Sequence, residues 1–194
     1  MGKGRLEAFS DGVIAVIITI MVLELKAPHG TELAALAPVA PALLTYVLSF
    51  VFVGIYWNNH HHMLHAAQHI DGRVLWANLH LLFWLSLVPF TTSWVGEYPK
   101  AAIPTALYGG VFLMAGLAYL LLQRALVERN GPDSVLARAI GEDAKGKASA
   151  LLYASAILLA FVRPWIADAL YVLVALMWFV PDRRIERTIE LTRP

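Results

Sequence analysis

Arg5, Ser10 and Asp11 crowd the start of an apolar run, and a histidine-rich stretch, YWNNHHHMLHAAQH at 56–69, ends another. These are the residues whose types could do chemistry. An ionisable residue inside a membrane span costs about 2.5–3.5 kcal/mol on insertion scales, and it usually marks an ion path, a proton relay or a buried pair. Asp11 can therefore serve as a titrating proton site or as a structural hydrogen-bond anchor. Arg5 lies six residues before it, the wrong spacing for a same-face helical pair. Partners for Asp11 must come from other segments, and the sequence offers His60 or His61, Asn59, Asn78 and His80.

On a continuous helix His61, His65 and His69 would share one face. Neutral imidazoles at that spacing can bind zinc, but no carboxylate stands at matching spacing. Outside the cluster only His29 and His80 remain, too few for a membrane di-iron centre. The pattern predicts a wet cytoplasmic helix end with one or two histidines turned inward, and no metal centre. Cys is absent, which excludes disulfides and thiolate metal sites. No glycine-rich phosphate loop occurs, and Ser86 in HLLFWLSLVPF has no acid–base relay beside it. Basic loops without interleaved aromatics suit anionic lipid and not nucleic acid.

The elements that position these residues follow from hydropathy. The chain has 194 residues, 59% hydrophobic and 15% charged, with mean hydropathy +0.63; soluble domains are nearer 45–50% apolar and about 25% charged. This is a membrane protein. Six apolar segments can be drawn, at roughly 9–25, 40–57, 75–95, 101–122, 148–162 and 164–180, against the roughly 17–25 residues that a span needs. Together they predict one six-helix transmembrane domain over residues 1–194. Pro89 should kink the third span, and Arg163-Pro164 should form a tight turn between the last two. The opening run resembles a signal peptide only superficially, because Asp11 and Glu24 bracket it and no small-residue cleavage pattern follows. Six spans place both termini on one side. Twelve of the 15 Lys and Arg residues then share that side, while Lys26, Lys100 and Arg163 lie on the other. The positive-inside rule puts both termini in the cytoplasm, with the cell membrane as the location.

At 100° per residue Arg5, Phe9, Gly12, Val16, Thr19 and Leu23 form one narrow stripe along the first helix, a seam of period about 3.5. Thr19 is the only polar member between Gly12 and Leu23. Asp11 lies about 100° off the stripe and points between helices of its own bundle. From periodicity alone the stripe either packs against another helix of the same chain or meets its own copies around an axis. Trp84, mid-span, needs a partner for its indole N–H.

Arg5, Phe9, Ser10 and Asp11 spell R-x-x-x-F-S-D, followed by Gly12-Val13 and Thr19. This resembles the signature of the transmembrane-protein-175 potassium channels, specifically their short prokaryotic members. YWNNHH at 56–61 and NLHLLFWLSLVPFTTSW at 78–94 look like the second- and third-helix blocks of that family. The likeness covers roughly the first 95 residues with specific motifs, and the rest in hydropathy and span count.

The resemblance implies an all-α homotetramer of six-helix subunits, with the first helix lining a central pore. It implies a potassium-preferring cation channel without the T-V-G-Y-G carbonyl filter, constricted instead by side chains that map to Val16, Thr19 and Leu23. Val16 stands where the family often has a larger Ile or Leu, which would widen that ring. Arg5, Phe9, Ser10 and Asp11, with Trp57, His60 and Asn78, would form a network at the cytoplasmic end. The implied partners are identical subunits, membrane lipid, and potassium with other monovalent cations as further candidates, with no cofactor. A proton-coupled or metal-ion transporter is the alternative, motivated by Asp11 and the histidines, and a membrane enzyme stands third.

Overall fold

The computed structural model describes residues 2–132, 134, 136–137 and 144–179. The described part is helical, with no strand among the described residues. Among the described residues seven α-helices follow one another: α1 Lys3–Leu23, α2 Ala40–Ala66, α3 Gly72–Ser86, α4 Val88–Glu97, α5 Ala102–Asn130, α6 Ala144–Ala160 and α7 Pro164–Phe179. α3 and α4 are two halves of one bent rod, so the chain makes six passes. Four of them, Lys3–Leu23, Leu33–Ala66, Gly72–Glu97 and Ala102–Asn130, are long and apolar enough to cross a membrane. α6 and α7, shorter, form a hairpin with a turn at 161–163, and Pro164 opens α7 where its missing N–H costs nothing.

The helices overrun the apolar segments. α1 starts at Lys3 rather than near residue 9, and α2 runs on through the polar NNHHHMLH stretch to Ala66. That extension is held by satisfaction of its polar groups, both within α2 and from α1. Asn59 donates to the Ile55 carbonyl at 2.8 Å, and the Lys3 ammonium donates to the His65 carbonyl at 2.9 Å, meeting one of the orphan acceptors of a helix end. The helix then stops, so His69 leaves it and the predicted three-histidine face shortens to His61 and His65. The connection to α3 shrinks to residues 67–71. Asn130, at the end of α5, clamps it by accepting from the backbone N–H groups of Gln68 and His69 at 2.8 and 2.9 Å and donating to the His69 carbonyl. Asp71 caps α3 by accepting from the Val74 N–H at 3.0 Å.

The bend between α3 and α4 falls at Leu87. Pro89, two residues on, has no N–H to give the preceding turn and its ring crowds the carbonyl four residues back. The basic tail 180–194 and Arg138 lie outside the described residues.

α5 is the central rod, packed against α3, α4, α6 and α7, while α1 lies to one side on α2, α3 and α4. Between α2, α5, α6 and α7 sits an aromatic core of Phe52, Tyr108, Phe112, Tyr153 and Tyr171, with ring centroids 4.5–6.2 Å apart. Hydrocarbon offers no water to a stray polar group, and these find partners inside. Thr92 donates to Ser49 at 2.7 Å, Ser49 meets the Tyr108 hydroxyl at 3.0 Å, Tyr171 donates to the Thr105 carbonyl at 2.9 Å, and Trp178 donates to Ser149 at 2.7 Å. Trp84 donates to His80 Nε2 at 2.9 Å, which takes His80 out of the running as a partner for Asp11.

Gly109 is where α5 lets α7 in. A Cβ there would collide with the ring and hydroxyl of Tyr171, itself buried. Gly109→Ala should displace that ring, break its bond to Thr105 and cost about 1–3 kcal/mol. The expected readout is a lowered thermal midpoint in detergent. Gly110→Ala, with open space around it, should leave the midpoint within about 0.5 kcal/mol of wild type.

Candidate functional site

α1 presents two unlike faces. Leu6, Ser10, Ile14, Ile17 and Met21 are buried against α2, α3 and α4. The opposite face is bare: Arg5, Phe9, Gly12, Val16, Thr19 and Leu23 are all exposed, Val16 by 54% and Leu23 by 79%. No other described part of the chain covers this stripe. The choice left open by periodicity is therefore decided within one subunit: the seam does not pack against the described remainder of its own chain.

Thr19 shows how the stripe is tuned. Its hydroxyl donates back to the Ala15 and Val16 carbonyls at 3.1 and 2.9 Å. With the proton committed to the helix, the oxygen lone pairs are what the hydroxyl offers to the open side, an acceptor suited to a partly dehydrated cation. Beside the stripe, a groove of about 1120 Å³ runs between α1 and the bent α3–α4 rod, floored by Phe9, Gly12, Val16 and Ile20 and walled by Phe90 and Trp94.

Behind the stripe lies a buried polar relay. The His60 Nε2–H donates to Asn78 Oδ1 at 2.7 Å, Asn78 Nδ2 donates to Ser10 Oγ at 2.9 Å, and Ser10 donates to the Leu6 carbonyl at 2.9 Å. All donors run one way, which fixes His60 as the Nε2–H tautomer in this arrangement. Ser10 and Asn78 are fully buried and His60 nearly so. The relay ties α2 and α3 to the buried face of α1, one turn below Ile14.

Asp11 is held separately. Its Oδ1 accepts from the Trp57 indole N–H at 3.0 Å, on the wetter flank of the same contact. The Trp57 ring stacks on His61, and His61 on His65, with centroids 6.1 Å apart in each case. Lys3–His65 and Asp11–Trp57 are eight residues apart on both helices, so α1 lies antiparallel on α2 without slippage. Arg5 is exposed at the first turn. Among the described residues no three His, Asp or Glu side chains converge to hold a metal ion.

Thus Ser10, Asp11, Trp57, His60 and Asn78 are brought together, in two sets that share no direct bond. Phe9 and Arg5 are on the open face, apart from both sets. Sequence reasoning passed over the C-terminal end of α1, where Ser93 of α4 donates to Glu24 at 3.3 Å and Glu97 lines the same groove. Only the coincidence of two acidic residues at the same predicted depth signalled it.

A family model described as the endosomal/lysosomal potassium channel TMEM175 matches residues 5–89. The chain is 50% identical to a potassium channel of Chryseobacterium sp. (strain P1-3) over 190 residues, 98% of this chain and 99% of that one. It is 34% identical to a potassium channel of Chamaesiphon minutus over 125 residues, 60% of this chain and 62% of that one. The crystal structure of a lysosomal potassium-selective channel TMEM175 homolog from Chamaesiphon minutus superposes with a TM-score of 0.79 at 27% identity, covering 93% of this chain and 97% of that chain.

Proposed function

The chain belongs to the TMEM175 channel family, and on that footing we propose that it conducts potassium in preference to other cations through a pore lined by the open face of α1. It is a multi-pass membrane protein and a cation channel, not an enzyme. The finer reading is ours. Four copies surround an axis, with Val16, Thr19 and Leu23 as stacked rings and Arg5 and Phe9 at the inner mouth. The Ser10–Asn78–His60 relay and the Asp11–Trp57 bond hold each lining helix at fixed rotation. Both termini face the cytoplasm, in the cell membrane, and no cofactor is needed beyond the permeant ions.

The observation that carries this reading is the bare stripe. A seam of Phe9, Val16 and Leu23 that the subunit leaves exposed, beside a groove that a neighbouring copy can enter, is what an axial pore requires of a single subunit. A narrow apolar ring gates by losing water, and does so without carbonyl dipoles.

The test is flux through purified protein in liposomes loaded with potassium. A channel dissipates the potassium gradient with only a charge-compensating protonophore present, and dissipates a sodium gradient more slowly. A gradient that falls only when a second ion is driven in the opposite direction would establish the proton-coupled transporter instead. Equal rates for potassium and sodium would remove the preference but leave the channel.

A further inference from the structure

Asp168 lies about one turn into α7, inside an apolar span, and makes no hydrogen bond or ion pair with any described residue. A carboxylate one turn from the end of a span, half-buried among apolar side chains, favours a cationic partner. It stands at the head of an open groove of about 650 Å³ between α2 and α7, whose walls include Leu48, Val51, Val172 and Leu176 and whose far end is Phe179. From Asp168 to Phe179 the groove follows eleven residues of helix, about 16 Å at 1.5 Å per residue. That is close to half of a bilayer core about 30 Å thick. Trp165 and Arg163 are exposed at the same end as the carboxylate, at the depth where aromatic and basic anchors meet headgroups.

A negative charge at headgroup depth, with an apolar channel one leaflet long beneath it, has the dimensions and polarity of a phospholipid. We propose that this groove is a binding site for a phospholipid with a primary ammonium headgroup, the ammonium resting on Asp168 and an acyl chain lying along α2 and α7. A trimethylated headgroup cannot donate hydrogen bonds to the carboxylate, so the site should discriminate between the two. A second copy of the chain is the less favoured occupant, because the groove carries an unpaired acid and the described face of α1 carries the seam suited to self-association. The leaflet, taken as the outer one, rests on the orientation proposed above; the site does not.

The experiment is native mass spectrometry of the purified protein, equilibrated in detergent with equal amounts of phosphatidylethanolamine and phosphatidylcholine of matched acyl chains. Wild type should retain the ethanolamine lipid by about fivefold over the choline lipid, the size of one net hydrogen bond, since both headgroups carry the positive charge and only the primary ammonium donates. D168N should bring the ratio close to one, and V172W, which fills the groove, should lower retention of both. Should D168N fail to fold, D168E must keep the preference. Equal retention by wild type, a preference that survives D168N, or retention unchanged in V172W would overturn the proposal. So would a lipid-free groove whose filling by V172W breaks up the oligomer, since that identifies a second copy as the occupant. The retention ratio is read per subunit, so an assembly other than a tetramer would sink the axial pore without touching this result.

Discussion

Replacing Val16 with Asn is expected to raise potassium flux by about tenfold, equivalent to removing ~1.4 kcal/mol from the barrier to permeation. Val16 is half-exposed at mid-height of the bare face, so four copies would place four valines around the axis with nothing polar at that level. Water leaves such a ring and ions follow it. Four amides would keep it wet, and a hydrated path discriminates less, so the potassium-over-sodium preference should fall with the same substitution. Leu23→Asn should act in the same direction and more mildly, because Leu23 is the last residue of the stripe on α1 and its most exposed large apolar side chain. Thr19→Val should lower current, since it removes the acceptor that the back-bonded hydroxyl offers to the open side. Ile17 is the control for rotation, being buried against the bundle: Ile17→Val should leave the reversal potential alone. Currents and reversal potentials in planar bilayers decide the matter. If Val16→Asn changes neither while Ile17→Val shifts the reversal potential, α1 does not line the pore by this face.

Asn78→Ala should be the most damaging single change behind the pore face. Asn78 is fully buried and makes two of the three bonds of the relay. Removing it strands the His60 Nε2–H, and Ser10 loses its donor, at about 1–3 kcal/mol for each group left unpaired. The expected result is a large fall in thermal midpoint and in yield of the assembled oligomer by size exclusion. Ser10→Ala alone should cost less, and the double variant should cost less than the two singles combined, since both act on one relay. Asp11→Ala should be milder still. Its bond to Trp57 is partly exposed, and water can replace what is lost. Full additivity of Ser10→Ala and Asn78→Ala, or an Asn78→Ala protein as stable as wild type, would show that the relay does not hold α1.

The six passes and the position of the stripe on α1 were legible in residue order, because both depend on quantities local to the chain. Hydropathy over about twenty residues marks a span, Pro89 and Pro164 mark where backbone bonding must break, and a 100° step assigns residues to faces wherever the helix continues. The same arithmetic erred at His69, since whether a helix persists through polar sequence depends on what satisfies its last carbonyls. Here Lys3, 62 residues away, does so at His65. Partner choice was beyond any local signal. Asp11 had several candidate partners of suitable chemistry, and the antiparallel register of α1 on α2 selected Trp57 for it. That register left Ser10, one residue earlier and a third of a turn around the helix, to meet Asn78 and His60. Whether the seam was covered could also be known only in three dimensions, because a period of 3.5 describes any helix face that meets another helix. The chain leaves that face bare for a physical reason: α2, α3 and α4 all dock on the side of α1 that carries Leu6, Ser10, Ile14, Ile17 and Met21, where the relay and the apolar packing reinforce each other.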